Sequence, residues 1–129
     1  MNQEKELTRA EEQVMHHLWS LNKGFVKDIL SEMADPKPAY NTVSTIIRIL
    51  VTKGFVGYKA YGKTHEYFPL ISKQDYSRFT AGNLVSNYFN GSAKELVSFF
   101  MAENELNTGD LDEILKGLWR AHNAQEAKP

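Results

Sequence analysis

Residues 40–53 carry short hydrogen-bonding side chains and one arginine at a spacing that would place them on one side of a helix. At about 100° per residue, this side holds Asn41, Ser44, Thr45, Arg48 and Thr52. A helix face that is only solvated usually fills with Glu and Lys. Short polar side chains let a helix approach base edges, and Asn, Arg, Ser and Thr read those edges in the DNA major groove. The face is therefore a candidate base-reading surface, and an ordinary Ser/Thr-rich surface helix is the alternative.

The opposite side of the same segment is apolar, and the spacing of its apolar residues distinguishes a helix from a strand. The segment is rich in β-branched residues, so propensity alone favours a strand. Strict two-residue alternation fails, however, whereas helical spacing collects the apolar residues Val43, Ile46, Ile47 and Leu50. Lys53 and Gly54 supply a basic last turn and a glycine after it. The pattern predicts a helix from Tyr40 to Lys53.

Positive charge is concentrated around this helix. No acidic residue lies between Asp35 and Glu66, and the basic residues in that interval are Lys37, Arg48, Lys53, Lys59 and Lys63. The whole chain has a net charge of −1, so the rest of it carries the compensating negative charge. A local basic segment is expected of a surface that faces phosphates, with chance clustering as the alternative. The candidate DNA contacts also include Lys37, Tyr40 and Thr42, before and at the start of the helix.

After Gly54 the pattern changes to the two-residue period of strands. Residues 55–59 and 65–70 flank residues 60–64, which contain a glycine and a lysine, and this predicts a β-hairpin. Lysines at a hairpin tip can neutralise phosphates, and tyrosine or histidine can donate hydrogen bonds to the DNA backbone. The candidate contacts in this hairpin are Lys59, Tyr61, Lys63 and His65. A sheet edge that lysines protect from aggregation is the alternative.

Helices are predicted on both sides of these elements. Residues 8–11 form a capping box that starts a first helix, and a second, short helix stops at residues 35–38 because prolines cannot continue it. Three more helices are predicted from residues 72, 92 and about 108, and residues 121–129 form a polar tail that is expected to fray. The predicted fold is mostly α with a small β-hairpin. It comprises a winged helix-turn-helix DNA-binding domain over residues 1–71 and a three-helix dimerisation region over residues 72–129.

The C-terminal region carries more aromatic and aliphatic surface than so short a segment can bury alone. For any single residue, such a stripe at helical spacing usually means core. Taken together, the set favours an apolar core shared by two copies of the chain. The candidate dimerisation residues are Tyr76, Phe79, Tyr88, Phe89, Phe99, Phe100, Leu111, Ile114, Leu115, Leu118 and Trp119.

Composition excludes several classes of protein. The chain has 129 residues, and no apolar run approaches the roughly 18 residues of a membrane span. Residues 1–6 are polar and acidic, so no signal peptide is expected. With no cysteine there is no disulfide framework, thiolate nucleophile or cysteine-based metal site. We therefore expect a cytoplasmic protein that does not insert into a membrane.

The histidines do not form a catalytic or metal-binding pattern. His16 and His17 are adjacent, so on a helix they point to different sides and cannot share a metal ion. His65 and His122 have no serine or carboxylate neighbours at triad spacing, and no glycine-rich phosphate loop occurs. The sequence therefore predicts that the protein is not an enzyme and needs no metal or cofactor.

Four sets of residues stand out in combination: residues 7–15 (LTRAEEQVM) with Leu18-Trp19, residues 40–45 (YNTVST) with Leu50, residues 53–56 (KGFV) and residues 67–70 (YFPL). With them the sequence resembles the penicillinase-repressor family of bacterial transcriptional regulators, the BlaI, MecI and CopY group. The resemblance runs from Leu7 to about Leu118. It implies a homodimer that sits on a palindromic operator in double-stranded DNA and represses nearby genes.

The resemblance also implies possible routes of release. In the β-lactam-responsive members, a membrane-bound sensor protease signals the antibiotic, and the repressor is cut in the helix that matches residues 92–102 here. The alignment places that cut between Phe99 and Phe100, but those members have Asn where this chain has Phe99. The copper-responsive members carry a C-terminal cysteine cluster, so the absence of cysteine excludes copper sensing by that route.

A different class of function remains open, in which the winged helix contacts another protein and does not bind DNA. The helix over residues 40–53 would then dock on that partner. Protein interfaces depend on residues such as Trp, Tyr and Arg, and the polar face of this helix has no large hydrophobic residue. The sequence thus favours DNA over a protein partner.

Overall fold

The computed structural model describes residues 6–126, with side chains up to residue 123. Along this range the elements are α1 (Arg9–Leu21), α2 (Val26–Glu32), α3 (Tyr40–Thr52), β1 (Val56–Tyr61), β2 (Thr64–Pro69), α4 (Lys73–Tyr88), α5 (Ala93–Ala102) and α6 (Thr108–Glu126). This order confirms the predicted fold class, mostly helical with one antiparallel hairpin. None of the helices in the described range is long and apolar enough to cross a membrane.

The capping box predicted at the start of α1 is present, and it is joined to α3. The Thr8 hydroxyl accepts a hydrogen bond from the Glu11 N–H at 3.1 Å, and Glu11 Oε1 accepts one from the Thr8 N–H at 2.9 Å. Lys53 Nζ, just after α3, lies 2.8 Å from the same carboxylate oxygen. Burial by itself raises the pKa of the Glu11 carboxyl, but hydrogen bonds from Lys53 and Thr8 and the charge of Lys53 outweigh it and hold the pKa below its ordinary value.

Removing this carboxylate should destabilise the fold in a pH-dependent way. Glu11→Gln leaves the Lys53 ammonium without its partner, and we expect a loss of about 1–3 kcal/mol at pH 7. Because the folded-state pKa is depressed, the stabilisation is present above the ordinary carboxyl pKa and is lost as pH falls through the folded value. Urea unfolding at pH 7 and pH 4 should show a smaller gap between variant and parent at pH 4. Glu32→Gln, at the exposed end of α2, is the control, and an equal gap at both pH values would contradict the role of Glu11.

The helical prediction for residues 40–53 is confirmed against their β-branched composition. Val43, Ile47 and Leu50 are completely buried in the core that α1, α2, α3 and the hairpin share. Tertiary packing of this apolar side therefore overrides the local preference for a strand. The helix ends at Thr52, and Gly54 follows with φ +85°, the left-handed conformation that a glycine adopts without strain.

The hairpin has a tighter turn than the sequence suggests. Residues 60–64 were expected in the loop, but β1 continues to Tyr61 and β2 begins at Thr64, so the loop is Gly62-Lys63 alone. Gly62 has φ +64° at the first loop position, as a two-residue type II′ turn requires. The prediction was too long because residues 60 and 61 pair across the ladder with His65 and Thr64. Gly24, between α1 and α2, also pairs with Tyr67 and ties the hairpin to the helices.

The first turns of α4 belong to the N-terminal unit, contrary to the predicted boundary at residue 71. The chain divides into two compact units: the N-terminal unit ends at Thr80, and the C-terminal unit begins at Ala81. Tyr76, predicted in the dimer interface, is only 6% exposed in the core of the N-terminal unit. Its hydroxyl accepts a hydrogen bond from the Leu7 N–H and donates one to Glu12, both at 3.1 Å, and burial raises the pKa of the phenol. The assignment of Tyr76 to a dimer interface was therefore wrong, because its ring completes the core of a single chain; Phe79 packs against that core as well.

The C-terminal unit leaves most of its apolar side chains exposed. Among its described residues none is fully buried. Phe89 and Leu111 are half-buried, while the exposed dimerisation candidates are Tyr88, Phe99, Phe100, Ile114, Leu115, Leu118 and Trp119. The frayed tail predicted over residues 121–129 was partly wrong, because α6 continues to Glu126; residues 127–129 lie outside the described range.

Candidate nucleic-acid interface

The outward face of α3 presents the side chains that the sequence analysis selected. Asn41, Thr45, Arg48 and Thr52 are exposed and Ser44 is half-buried, on the side away from the buried residues of the same helix. Tyr40 and Thr42 are exposed at its first turn. No acidic side chain occurs on this helix. The face therefore offers hydrogen-bond donors and acceptors, and its one full charge is positive.

Arg48 is held loosely and keeps most of its donors available. Its Nη2 lies 3.3 Å from the Thr45 hydroxyl, and the Thr52 hydroxyl donates to the Arg48 carbonyl at 3.1 Å. In the part of the chain that the structure describes, Arg48 forms no salt bridge. A guanidinium has five N–H donors in a planar fork, so donors remain for a base edge or a phosphate.

Lys37 is hydrogen-bonded to the backbone at the end of α2. Its Nζ donates hydrogen bonds to the carbonyls of Ser31 and Met33, just at and after the end of α2 at Glu32. An ammonium group at the C-terminal end of a helix satisfies carbonyls that have no partner within the helix. The exposed ammonium group of Lys37 therefore satisfies carbonyls at the end of α2.

The hairpin, which we call the wing (Val56–Pro69), carries an aromatic cluster beside its lysines. The rings of Tyr58 and His65 stack with centroids 4.3 Å apart and an angle of 7° between their planes. Lys59 Nζ lies 5.3 Å from the centre of the Tyr61 ring, within the range of a cation–π contact. Lys63 is exposed in the two-residue turn. The tip of the wing is thus positively charged, and Tyr58 and His65 form a flat aromatic wall.

A groove between α3 and the wing brings several of the predicted residues together. The candidates that line it are Tyr40, Ser44, Arg48, Thr52, Lys63 and His65. Asn41, Thr42, Thr45, Lys59 and Tyr61 do not line it. The sequence analysis missed Tyr58 and Tyr67, which are paired across the two strands. Tyr58 and Tyr67 lie at equal distances from the turn along the two strands, which places them opposite each other, and this spacing would have identified them.

Tyr67 connects the groove to the core. It is 7% exposed, and its backbone N–H and carbonyl both bond to Gly24, at 2.8 and 2.9 Å. Burial raises the pKa of its phenol, and the nearby positive charge of Arg48 offsets part of that rise. The wall of the groove is therefore anchored by core packing on one side and faces the arginine of α3 on the other.

Comparison with known proteins identifies the family. A sequence model of the penicillinase repressor family matches residues 7–120. The chain belongs to the penicillinase repressor family. As a member it is a DNA-binding transcriptional repressor and not an enzyme. Within the described residues there is also no group of three or more His, Cys, Asp or Glu side chains that could hold a metal ion.

Individual members of the penicillinase repressor family align over nearly their whole length. The methicillin resistance regulatory protein MecI of Staphylococcus aureus strain N315 is 26% identical over 114 residues, which are 88% of this chain and 93% of that protein. The penicillinase repressor of Bacillus licheniformis is 24% identical over 124 residues, covering 94% and 95% of the two chains. The solution structure of the DNA-binding domain of the repressor BlaI is 23% identical with a TM-score of 0.50, covering 59% of this chain and 94% of that domain. This likeness confirms the winged-helix fold.

Proposed function

We propose that the chain represses transcription as a homodimer on a palindromic operator, with α3 in the major groove and the wing on the DNA backbone, in the cytoplasm. The observation that carries the proposal is the outward face of α3, which presents Asn41, Thr45 and Arg48 without a carboxylate. Such side chains read base edges, and lysine at the tip of a wing contacts phosphates.

Dimerisation is supported by the exposed apolar surface of the C-terminal unit. Ile114, Leu115, Leu118 and Trp119 of α6 are 46%, 56%, 61% and 67% exposed in the single chain. Their spacing along α6 places them on one side of the helix. An apolar patch of this kind marks an interaction site, and a two-fold dimer would bury it against its own copy. Two α3 helices would then face DNA about one turn, or 34 Å, apart.

A gel shift with promoter fragments from the neighbourhood of the protein's own gene tests the proposal. We expect one fragment to be retarded at protein concentrations that leave unrelated duplexes free. A docking module for a protein partner is the second candidate, because Tyr40 and Ile49 leave 51% and 40% of their surface exposed on α3. Failure to retard any promoter fragment more than random DNA would favour that second candidate.

Lys63 should contribute affinity without sequence preference. Lys63→Gln removes a charge from the tip of the wing, so we expect weaker binding to every duplex alike. A plot of log affinity against log salt should lose about 0.9 of its slope for each phosphate contact removed, or about 1.8 per dimer. Lys94→Gln changes an exposed lysine of α5 and is the matched control. An unchanged slope for Lys63→Gln would show that the tip does not touch phosphates.

We also propose that release of the operator can follow a cut between Phe99 and Phe100. Both residues lie within α5 and are 48% and 38% exposed, and the Phe99 ring packs on Phe89 at 5.5 Å. A protease needs an extended chain, so this helix must open locally before cleavage. The cut would disconnect α6 and its apolar side chains from the rest of the chain.

Mass spectrometry of the repressor from fully induced cells distinguishes proteolysis from other routes. Cleavage predicts two fragments that meet at Phe99 and Phe100, formed more slowly when operator DNA holds the dimer together. Intact chains of 14.7 kDa after full derepression would exclude proteolytic release. They would indicate dissociation driven by a ligand or a competitor.

A further inference from the structure

The groove between α3 and the wing is large enough for a small molecule. Its volume is about 680 Å³, and ligand pockets in proteins have volumes of about 300–1,000 Å³. Its buried and half-buried lining is largely apolar or aromatic and has Ser44 as its polar member; the other residues are Phe25, Val26, Val51, His65 and Tyr67. A DNA backbone requires positive charge and hydrogen-bond donors from a protein. Contact with phosphates therefore accounts for the lysine at the rim but not for this apolar lining.

All full charges in the groove have the same sign. Lys27, Arg48 and Lys63 line it, and of the described residues that do so none is Asp or Glu. Hydroxyl groups of Ser44 and Thr64 add neutral hydrogen-bond partners. A concave site that combines an apolar lining with a few convergent cations selects an anion attached to an apolar body.

The shape of one wall indicates that this apolar body is planar. Tyr58 and His65 stack almost parallel, and Tyr67 lies 6.0 Å from each of them. Aromatic rings pack on such a surface by offset stacking or edge-to-face contact. Tyr58 is 48% exposed, so its ring is available to a ligand.

We propose that this groove binds a small planar aromatic carboxylate and that the bound molecule displaces DNA. The carboxylate would pair with Arg48 and the ring would pack on Tyr58. Displacement rests on the proposed function, because Ser44, Arg48 and Lys63 line the groove and are also candidate DNA contacts. Such a ligand acts at the reading surface itself, so it requires neither cleavage of α5 nor a change at the dimer interface.

Calorimetric titration of the full chain with naphthalene-2-carboxylate tests binding directly. For a probe of this size we expect a dissociation constant on the order of 1 mM or below. Naphthalene-2-carboxamide, which lacks the charge, and acetate, which lacks the ring, should each bind at least about tenfold more weakly. Equal binding of the carboxylate and the carboxamide would overturn the proposal, as would the absence of carboxylate binding.

Two variants locate the ligand. Arg48→Gln and Tyr58→Ser should each weaken binding of the carboxylate about tenfold, while Phe68→Ser, an exposed aromatic residue of the wing that does not line the groove, should not change it. Anisotropy of a labelled operator duplex then tests displacement. Naphthalene-2-carboxylate should raise the protein concentration needed for half-saturation, and the carboxamide should not. Binding without displacement would overturn the regulatory half of the proposal, whereas failure to bind the operator without ligand would overturn the proposed function instead.

Discussion

Replacing Arg48 by alanine should cost about 1–3 kcal/mol of binding free energy at each operator half-site and reduce the preference for the operator over other DNA. Arg48 is exposed on α3 and forms no salt bridge within the described residues. Its planar guanidinium carries the charge of this face and can donate two parallel hydrogen bonds. Such a bidentate contact with a base edge distinguishes that base from the other three. Since the proposed dimer contacts two half-sites, the loss is counted twice in the affinity of the complex.

Affinity measured for operator and scrambled duplexes at one salt concentration separates base reading from simple attraction. Arg48→Lys keeps the charge but not the planar fork, so it should retain non-specific binding and lose much of the preference. Arg78→Ala, whose guanidinium pairs with Asp75 on the exposed surface of α4, is the control and should bind as the parent does. If Arg48→Ala binds the operator with full affinity and selectivity, α3 is not the reading helix.

A charge placed in the apolar patch of α6 should convert the repressor into a monomer that scarcely binds its operator. Leu118→Asp puts a carboxylate where the proposed interface is apolar, and the residue is 61% exposed, so the single chain can fold without penalty. Two linked half-sites gain about 10²–10⁴ in affinity over one, and the monomer forfeits that gain. We therefore expect operator affinity to fall at least a hundredfold.

Sedimentation equilibrium at micromolar concentration measures the state of assembly of the same proteins. The parent should sediment as a dimer and Leu118→Asp as a monomer. Arg120→Ala lies on the other side of α6 and should remain dimeric. A parent chain that is monomeric in this range would refute the account of assembly, and the gel shift would then have to be explained by single chains.

Periodic features were predictable from the sequence because they depend on neighbours close in the chain. The helix α3 was identified from its apolar spacing even though its β-branched residues favour a strand, since burial of one side outweighs local preference. The wing and the exposed position of Arg48 followed from the same kind of pattern. These features contain most of the candidate DNA interface.

Contacts between distant residues were not predictable in this way. Glu11 and Lys53 are 42 positions apart, and no spacing rule pairs them, so Lys53 was counted among the basic residues of the surface. Tyr76 looked like part of an interfacial stripe, but its ring closes the core beside Trp19 and Phe55. The hydrogen-bond partners of Lys37 were not predictable either, because only the three-dimensional position of the end of α2 reveals them.

The central claim is that two α3 helices read adjacent turns of the major groove, and a methylation-protection footprint on the retarded promoter fragment tests it most directly. We predict two protected major-groove patches related by two-fold symmetry and centred about one helical turn apart, 10–10.5 base pairs. Both patches should weaken together in Arg48→Ala and persist in Arg78→Ala. A single patch, protection confined to the minor groove, or a pattern that Arg48→Ala leaves intact would contradict the claim.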